Sequence, residues 1–192
     1  MDPLNTEDVW ESIFRKTFWG MGGGTVVSAA MSAIDIALMD IKGKALGVPI
    51  YMLLGGKTNH KLRTYASQVQ FNWGSNLTKQ ELMEPEEYAQ VTLRAMEEGY
   101  DAVKVDPIII PDSSGKSWNI RGPLQKHVIR TIYDRVAAMR EAGGDELDII
   151  IEMHSNTDTV AAIQIAEALE PLRIFYYEEP VHPLNPENFA EL

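Results

Sequence analysis

Asp148-Ile149-Ile150-Ile151-Glu152-Met153-His154 is the stretch whose reading decides the fold. Three consecutive isoleucines leave no polar face, so the segment reads as a strand buried on both sides, and such strands belong to parallel sheets covered by helices. Its flanks agree. Leu124 to Glu141 has helical periodicity and is closed by Gly143-Gly144, while Thr159 to Leu169 reads as a further helix. Further out, Ala102-Val103-Lys104-Val105 and Ile174-Phe175-Tyr176-Tyr177 are short buried-strand patterns. Pro85 to Glu98 is a helix with Glu84, Glu86 and Glu87 at its start and Gly99 at its stop. With Leu62-Arg63-Thr64-Tyr65-Ala66 as an opening strand, residues 62 to 178 alternate strand and helix throughout. Strict alternation predicts an α/β fold with a parallel sheet.

The first sixty residues have a different character. Thr25 to Ile41 is the longest apolar stretch, with Ile34, Leu38 and Ile41 at helical spacing, entered after Gly22-Gly23-Gly24 and ended by Gly43 and Gly47. No strand signal precedes that glycine run and no Gly-Lys-Ser/Thr follows it, so it reads as a helix entry rather than a phosphate cradle. Val48 to Leu54 is a short apolar turn, Gly55-Gly56 punctuates the chain, and a boundary is expected near residue 60. Residues 1–60 then form a helical segment and residues 61–192 the α/β part. Trp10, Trp19 and the methionines of the first helix are expected in the core.

Composition narrows the function classes. The 192 residues are 45% hydrophobic and 23% charged, as in an ordinary globular protein, and 17 Lys and Arg stand against 28 Asp and Glu for a formal charge of −11. That balance offers no basic stripe to phosphate backbones or anionic lipid, so neither nucleic acid nor a membrane is expected as a partner. There is no cysteine, hence no disulfide framework and no thiolate chemistry. Met1-Asp2-Pro3-Leu4-Asn5 has neither the basic nor the apolar region of a signal peptide, and Asp35 and Asp40 interrupt the longest apolar run. A cytoplasmic location is the expectation.

Parallel α/β folds place their chemistry at the carboxyl ends of the strands. Three predicted strands end in reactive groups: Lys104-Val105-Asp106, Glu152-Met153-His154 and Glu178-Glu179-Pro180. Because side chains alternate along a strand, Lys104 shares a face with Asp106, and Glu152 with His154. Carboxylates converging from neighbouring strands repel unless a proton or cation sits between them, and hard oxygen donors select Mg²⁺ or a similar ion. Each residue also has a plainer reading. Glu152 suits a solvated strand end, Lys104 an ion pair with Asp106 or Asp101, and His154 a bond to a backbone carbonyl. His60 and His127 are expected at the surface, whereas His182, in Pro180-Val181-His182-Pro183, lies close enough to the strand ends to count as a substrate-binding candidate.

In combination these segments resemble the enolase superfamily, mandelate racemase subgroup. Ser32 to Lys44, Gly47-Val48-Pro49-Ile50-Tyr51 and Leu54-Gly55-Gly56 resemble the segment leading from a capping domain into the barrel; Gly99 to Pro107 resembles the second barrel strand, Ile151 to His154 the third, and Tyr177 to Val181 the fourth. The resemblance implies a (β/α)₈ barrel of which this chain holds the first half. It also implies Mg²⁺ held by Glu152 and Glu178, whose 26-residue separation fits the subgroup and selects Glu178 over Glu179. The implied chemistry is removal of the proton α to a substrate carboxylate. A histidine two positions after the third-strand ligand, as His154 stands here, is the mark of the acid-sugar dehydratases of gluconate/galactonate type, where it serves as general acid.

Two departures refine the expectation. Racemases of the subgroup carry a second lysine where this chain has Asp106, so one-faced elimination to a 2-keto-3-deoxy acid is favoured over racemisation or epimerisation, with Lys104 stabilising the substrate carboxylate and with Lys104, Asp106 and His154 expected as the catalytic and substrate-binding residues. A (β/α)₈ barrel also takes about 250 residues, so the third metal carboxylate and the general base are expected outside this chain, which as a lone polypeptide is expected to be inactive. Its implied partners are a small sugar acid and either a second copy of itself or the remainder of its own barrel. The alternative is a non-catalytic half-barrel. The long connection Pro107 to Pro123, with Trp118 and Arg121, is expected to act as a lid or specificity loop.

Overall fold

The computed structural model describes residues 1–74, 80–112, 114, 116 and 118–192. The chain forms two compact units, Met1–Leu62 and Arg63–Leu192.

The first unit is helical: α1 (Thr6–Lys16), α2 (Gly24–Leu46) and α3 (Ile50–Leu53). Helix α1 escaped the apolar periodicity, yet Glu7 and Asp8 in its first turn and Arg15 and Lys16 in its last complement the helix dipole, a signal present in the sequence. Helix α2 does not stop at Gly43. That residue is buried inside the helix, where an added Cβ would stand 2.8 Å from the Val48 carbonyl oxygen, so it serves close approach rather than termination. Gly47 is the stop, left-handed at φ +69°, with its N–H directed to the carbonyls of Gly43 and Lys44. The apolar turn expected at Val48–Leu54 closes into α3. On length and composition alone α2 is apolar enough to cross a membrane, although Asp35 and Asp40 stand within it. Met31 is buried as expected, but Trp19 and Met21 are exposed, so the glycine-flanked turn holds them off the core of this unit.

The second unit alternates α4 (Pro85–Glu97), β1 (Ala102–Val105), α5 (Lys126–Gly143), β2 (Asp148–Glu152), α6 (Thr159–Leu169) and β3 (Tyr176–Glu178), and its strands form a parallel sheet in the order β1-β2-β3. Val103, Val105, Ile149, Ile151 and Met153 join Val91, Ile132, Val136 and Ile165 of the three helices in one core cluster. By the pleat, Lys104, Ile150, Glu152 and Glu178 point to the other face. The opening strand expected at Leu62–Ala66 contracts to one bridge, in which the Ala66 amide donates to the Ala102 carbonyl at 3.0 Å and the Ala66 carbonyl accepts from the Lys104 amide at 2.7 Å. Beyond it the backbone turns left-handed at Gln68 into a 3₁₀ turn, Val69–Phe71. Strand β3 is not buried as the sequence pattern implied. It is the outer strand of the sheet, and Phe175 and Tyr176 are 60% and 56% exposed.

A fully buried arginine, unforeseen from sequence, fixes the connection after β1. Arg135 of α5 donates to the carbonyls of Met83, Pro107, Ile110 and Pro111 and lies over the rings of Tyr88 and Trp118. Burial pulls its pKa down from the usual arginine value. Ile108 and Ile110 are themselves buried, so the first part of the expected lid, Pro107–Pro111, is an anchored wall. Residues 113, 115 and 117 of that connection lie outside the described residues.

Candidate active site

The sheet register brings the strand-end groups together. Glu152 stands directly opposite Glu178, and Lys104 opposite Ile150, two residues back along the same face. Neighbouring strands lie about 4.8 Å apart, close enough for two carboxylates to repel strongly without a cation between them. The Lys104 ammonium fills that role, 2.9 Å from Glu152 Oε2 and 3.2 Å from Glu178 Oε1, with the Tyr65 ring 5.3 Å away. Burial alone would favour the neutral amine, but the two carboxylates outweigh it and hold the ammonium above the ordinary lysine range. The ion pairs expected of Lys104 with Asp106 or Asp101 do not form. Asp101 is taken by Arg63, which also reaches Asp148 and ties the amino ends of β1 and β2.

His154 extends the network. Its Nδ1 lies 2.8 Å from Asp106 Oδ2 and its Nε2 3.6 Å from Glu152 Oε2, so its partner is a carboxylate rather than a backbone carbonyl. Asp106 is 1% exposed; its Oδ1 accepts the amides of Ile108 and Ile109, and its own amide donates to Gln70 Oε1. Burial pushes the Asp106 carboxyl up, against the pull of His154 and the two amides. The buried carboxylate is thereby engaged by His154 and the following turn. His154, Ser155 and Glu179 adopt left-handed backbone at φ +49°, +55° and +45°. Each such residue costs about 1–3 kcal/mol and persists only where its surroundings over-determine it. The Asp106 contact and a bond from the Ser155 amide to the Glu179 carbonyl supply that constraint.

Glu178, Lys104, Glu152, His154 and Asp106 therefore form one continuous line across the carboxyl ends of three strands. Glu179 is exposed. His182 is exposed, and its Nδ1 accepts the Leu184 amide at 3.2 Å, a local turn contact that leaves it outside the line. Gln70 was not foreseen; its only sequence signal is its place just beyond the first predicted strand. Among the described residues no group of three or more His, Cys, Asp or Glu side chains stands ready to hold a metal. The donor set at the line's centre is nonetheless two carboxylates with a single ammonium. That leaves net negative charge and hard oxygen atoms, a partial set that suits a small divalent cation.

The comparisons with known proteins agree with this arrangement. Residues 87–192 match the family model described as enolase C-terminal domain-like, and residues 1–55 match the mandelate racemase / muconate lactonizing enzyme N-terminal domain. The chain is 36% identical over 181 residues to a D-gluconate dehydratase of Thermoproteus tenax and 31% identical over 195 residues to a D-galactonate dehydratase of Variovorax paradoxus. These alignments take in 94% and 100% of the chain but 33% and 44% of the relatives. A crystal structure of an enolase superfamily member from Salmonella Typhimurium superposes on all of it with a TM-score of 0.91 at 56% identity, over 49% of that protein. The chain thus spans between a third and a half of the length of these relatives, as a half-barrel does. With the matched domains covering most of its residues and the strand-end groups gathered on one parallel sheet, the chain belongs to the enolase superfamily, in its mandelate racemase / muconate lactonizing enzyme branch.

Proposed function

We propose that the protein is an Mg²⁺-dependent acid-sugar dehydratase that converts an aldonic acid to a 2-keto-3-deoxy acid. The observation that carries this reading is His154 held between buried Asp106 and Glu152 at the strand ends. Dehydration begins when a base outside this chain removes the proton α to the substrate carboxylate, and the C–H electron pair passes into the carboxylate as an enediolate. Lys104, fixed by Glu152 and Glu178, offers a positive charge to the substrate carboxylate as negative charge accumulates there. The enediolate then expels the β-hydroxyl, which leaves as water after taking a proton from His154, and the resulting enol becomes the ketone. Hydroxide is a poor leaving group, so a positioned acid is required, and imidazolium suits neutral pH. Asp106 acts through His154 as a positioning residue, balancing the imidazolium charge.

Glu152 and Glu178 would hold Mg²⁺, which when bound supplies positive charge for the enediolate oxygens. The single ammonium of Lys104 leaves one of the two carboxylate charges unbalanced, which supports that assignment. A racemase would need a base on each face of the substrate, and the position beside Lys104 that would supply one is occupied by the committed carboxylate of Asp106. The match of residues 1–55 to a family domain supports reading the apolar α2 as a packing surface rather than a membrane span, with a cytoplasmic location.

The test is His154→Asn in the whole enzyme. Metal binding should persist because the carboxylates are untouched, turnover should fall by roughly 10² to 10⁴, and exchange of the substrate α-proton with deuterated solvent should survive in part. Dehydration at the wild-type rate would remove His154 from the mechanism. Loss of exchange and metal together would recast it as a ligand.

A further inference from the structure

A pocket of about 300 Å³ opens beside this line, walled by Ile108, Ile109, Pro111, Trp118 and Ile120, with Asn156 at its edge. It is bound to the chemistry on two sides. The amides of Ile108 and Ile109 are the ones that Asp106 accepts, and Asn156 follows His154 by two residues, its amide donating to the Met153 carbonyl. Arg135 holds the same wall rigid through Pro107, Ile110 and Pro111 and lies under Trp118. Ile109 is 47% exposed, an apolar side chain that the core does not claim. The Trp118 indole N–H is buried without a partner among the described residues, and a buried unpaired donor in a native fold calls for an explanation.

We propose that this pocket receives the far end of the substrate chain and selects a sugar acid ending in a methyl group, an ω-deoxy aldonic acid, over one ending in a second carboxylate. The inference rests on the dehydratase reading and specifies its substrate. The volume lies at the small end for ligand pockets, enough for the tail of a substrate whose carboxyl end lies at Lys104. Four of the six lining residues, Ile108, Ile109, Pro111 and Ile120, offer only carbon side chains, and Trp118 adds a ring with a single N–H. None is a cation, so a terminal carboxylate placed there would be desolvated without a counter-charge. A methyl terminus loses nothing on entering. The Trp118 N–H, with the Asn156 side chain at the rim, is assigned to the hydroxyl on the preceding carbon, which accounts for a polar donor in an apolar wall.

The experiment compares kcat/KM in the whole enzyme for three six-carbon acids of matched configuration that end in methyl, hydroxymethyl and carboxylate. The methyl-terminated acid should be preferred over the carboxylate-terminated one by about 10² or more. Ile109→Ser, at a half-exposed position where folding is not at stake, should reduce that preference roughly tenfold, and Trp118→Phe should raise KM for all hydroxyl-bearing acids while keeping the ring. Dehydration of all three at equal kcat/KM, or fastest with the dicarboxylic acid, removes the subsite and leaves the dehydratase reading standing. Loss of water from none of them overturns both.

Discussion

At the scale of single residues, chemistry turns on which atoms of Asp106 are already engaged. Its Oδ1 accepts the amides of Ile108 and Ile109, and only Oδ2 faces His154. In Asp106→Asn the amide oxygen would stay with the two backbone donors, so the new NH₂ would face His154 Nδ1 and require that nitrogen to accept. The ring could then no longer carry protons on both nitrogens without opposing the amide. Turnover should fall within the roughly 10²–10⁴ that a positioned acid contributes, with metal affinity unchanged. Ring ¹⁵N shifts should show Nδ1 as an acceptor. Unaltered turnover with an inverted ring would mean that Asp106 has no part in the proton transfer.

At the scale of elements, a capping side chain both starts a helix and ties it to its neighbours. Asp158 caps α6, its Oδ1 accepting the Ala161 amide at 3.0 Å, and its Oδ2 accepts the Gly122 amide at 2.7 Å, joining the β1–α5 connection to the start of α6. The bond to the Ala161 amide, followed by that to Gly122, holds its carboxyl below the usual aspartate value. A depressed folded-state pKa gives stability that is present above the unfolded value, about 3.9, and is lost as pH falls through the folded one. Asp158→Ala should therefore cost about 0.5–2 kcal/mol at neutral pH in urea unfolding, with the difference shrinking in acid; a constant difference down to pH 2 would separate the cap from its charge. The alternation of β2 with α5 and α6 was legible because periodicity and glycine stops are local properties. The strand-end line Lys104, Asp106, Glu152, His154 and Glu178 was legible because strand ends are where parallel folds gather polar groups. Three features were not. Arg135 is a charged residue whose burial depends on four carbonyls brought from two distant loops, the shrinking of the first strand to Ala66 depends on the turn at Gln68, and the exposure of β3 depends on what lies beside it.

At the scale of the whole molecule, β3 presents the outer edge of a parallel sheet, and Phe175, Tyr176 and Leu184 are exposed around it. Unpaired edge strands flanked by apolar side chains invite another strand, and natural proteins blunt them with lysine or cover them. Here the edge carries tyrosines instead, in a chain that spans 49% of its structural relative. The edge is therefore read as a joint to be covered by further barrel strands, whether on the same polypeptide or another. The 21.5 kDa chain on its own should sediment as more than a monomer and bind an apolar dye. Tyr176→Lys should shift it toward monomer by placing a charge on the outer strand, on the face it shares with Glu178. Supplying the complementary half of the barrel should have the same effect on the unmodified chain and abolish dye binding. A monodisperse monomer that ignores both the substitution and the complementary half would show that the edge needs no cover, and the chain would then stand as an independently folded module.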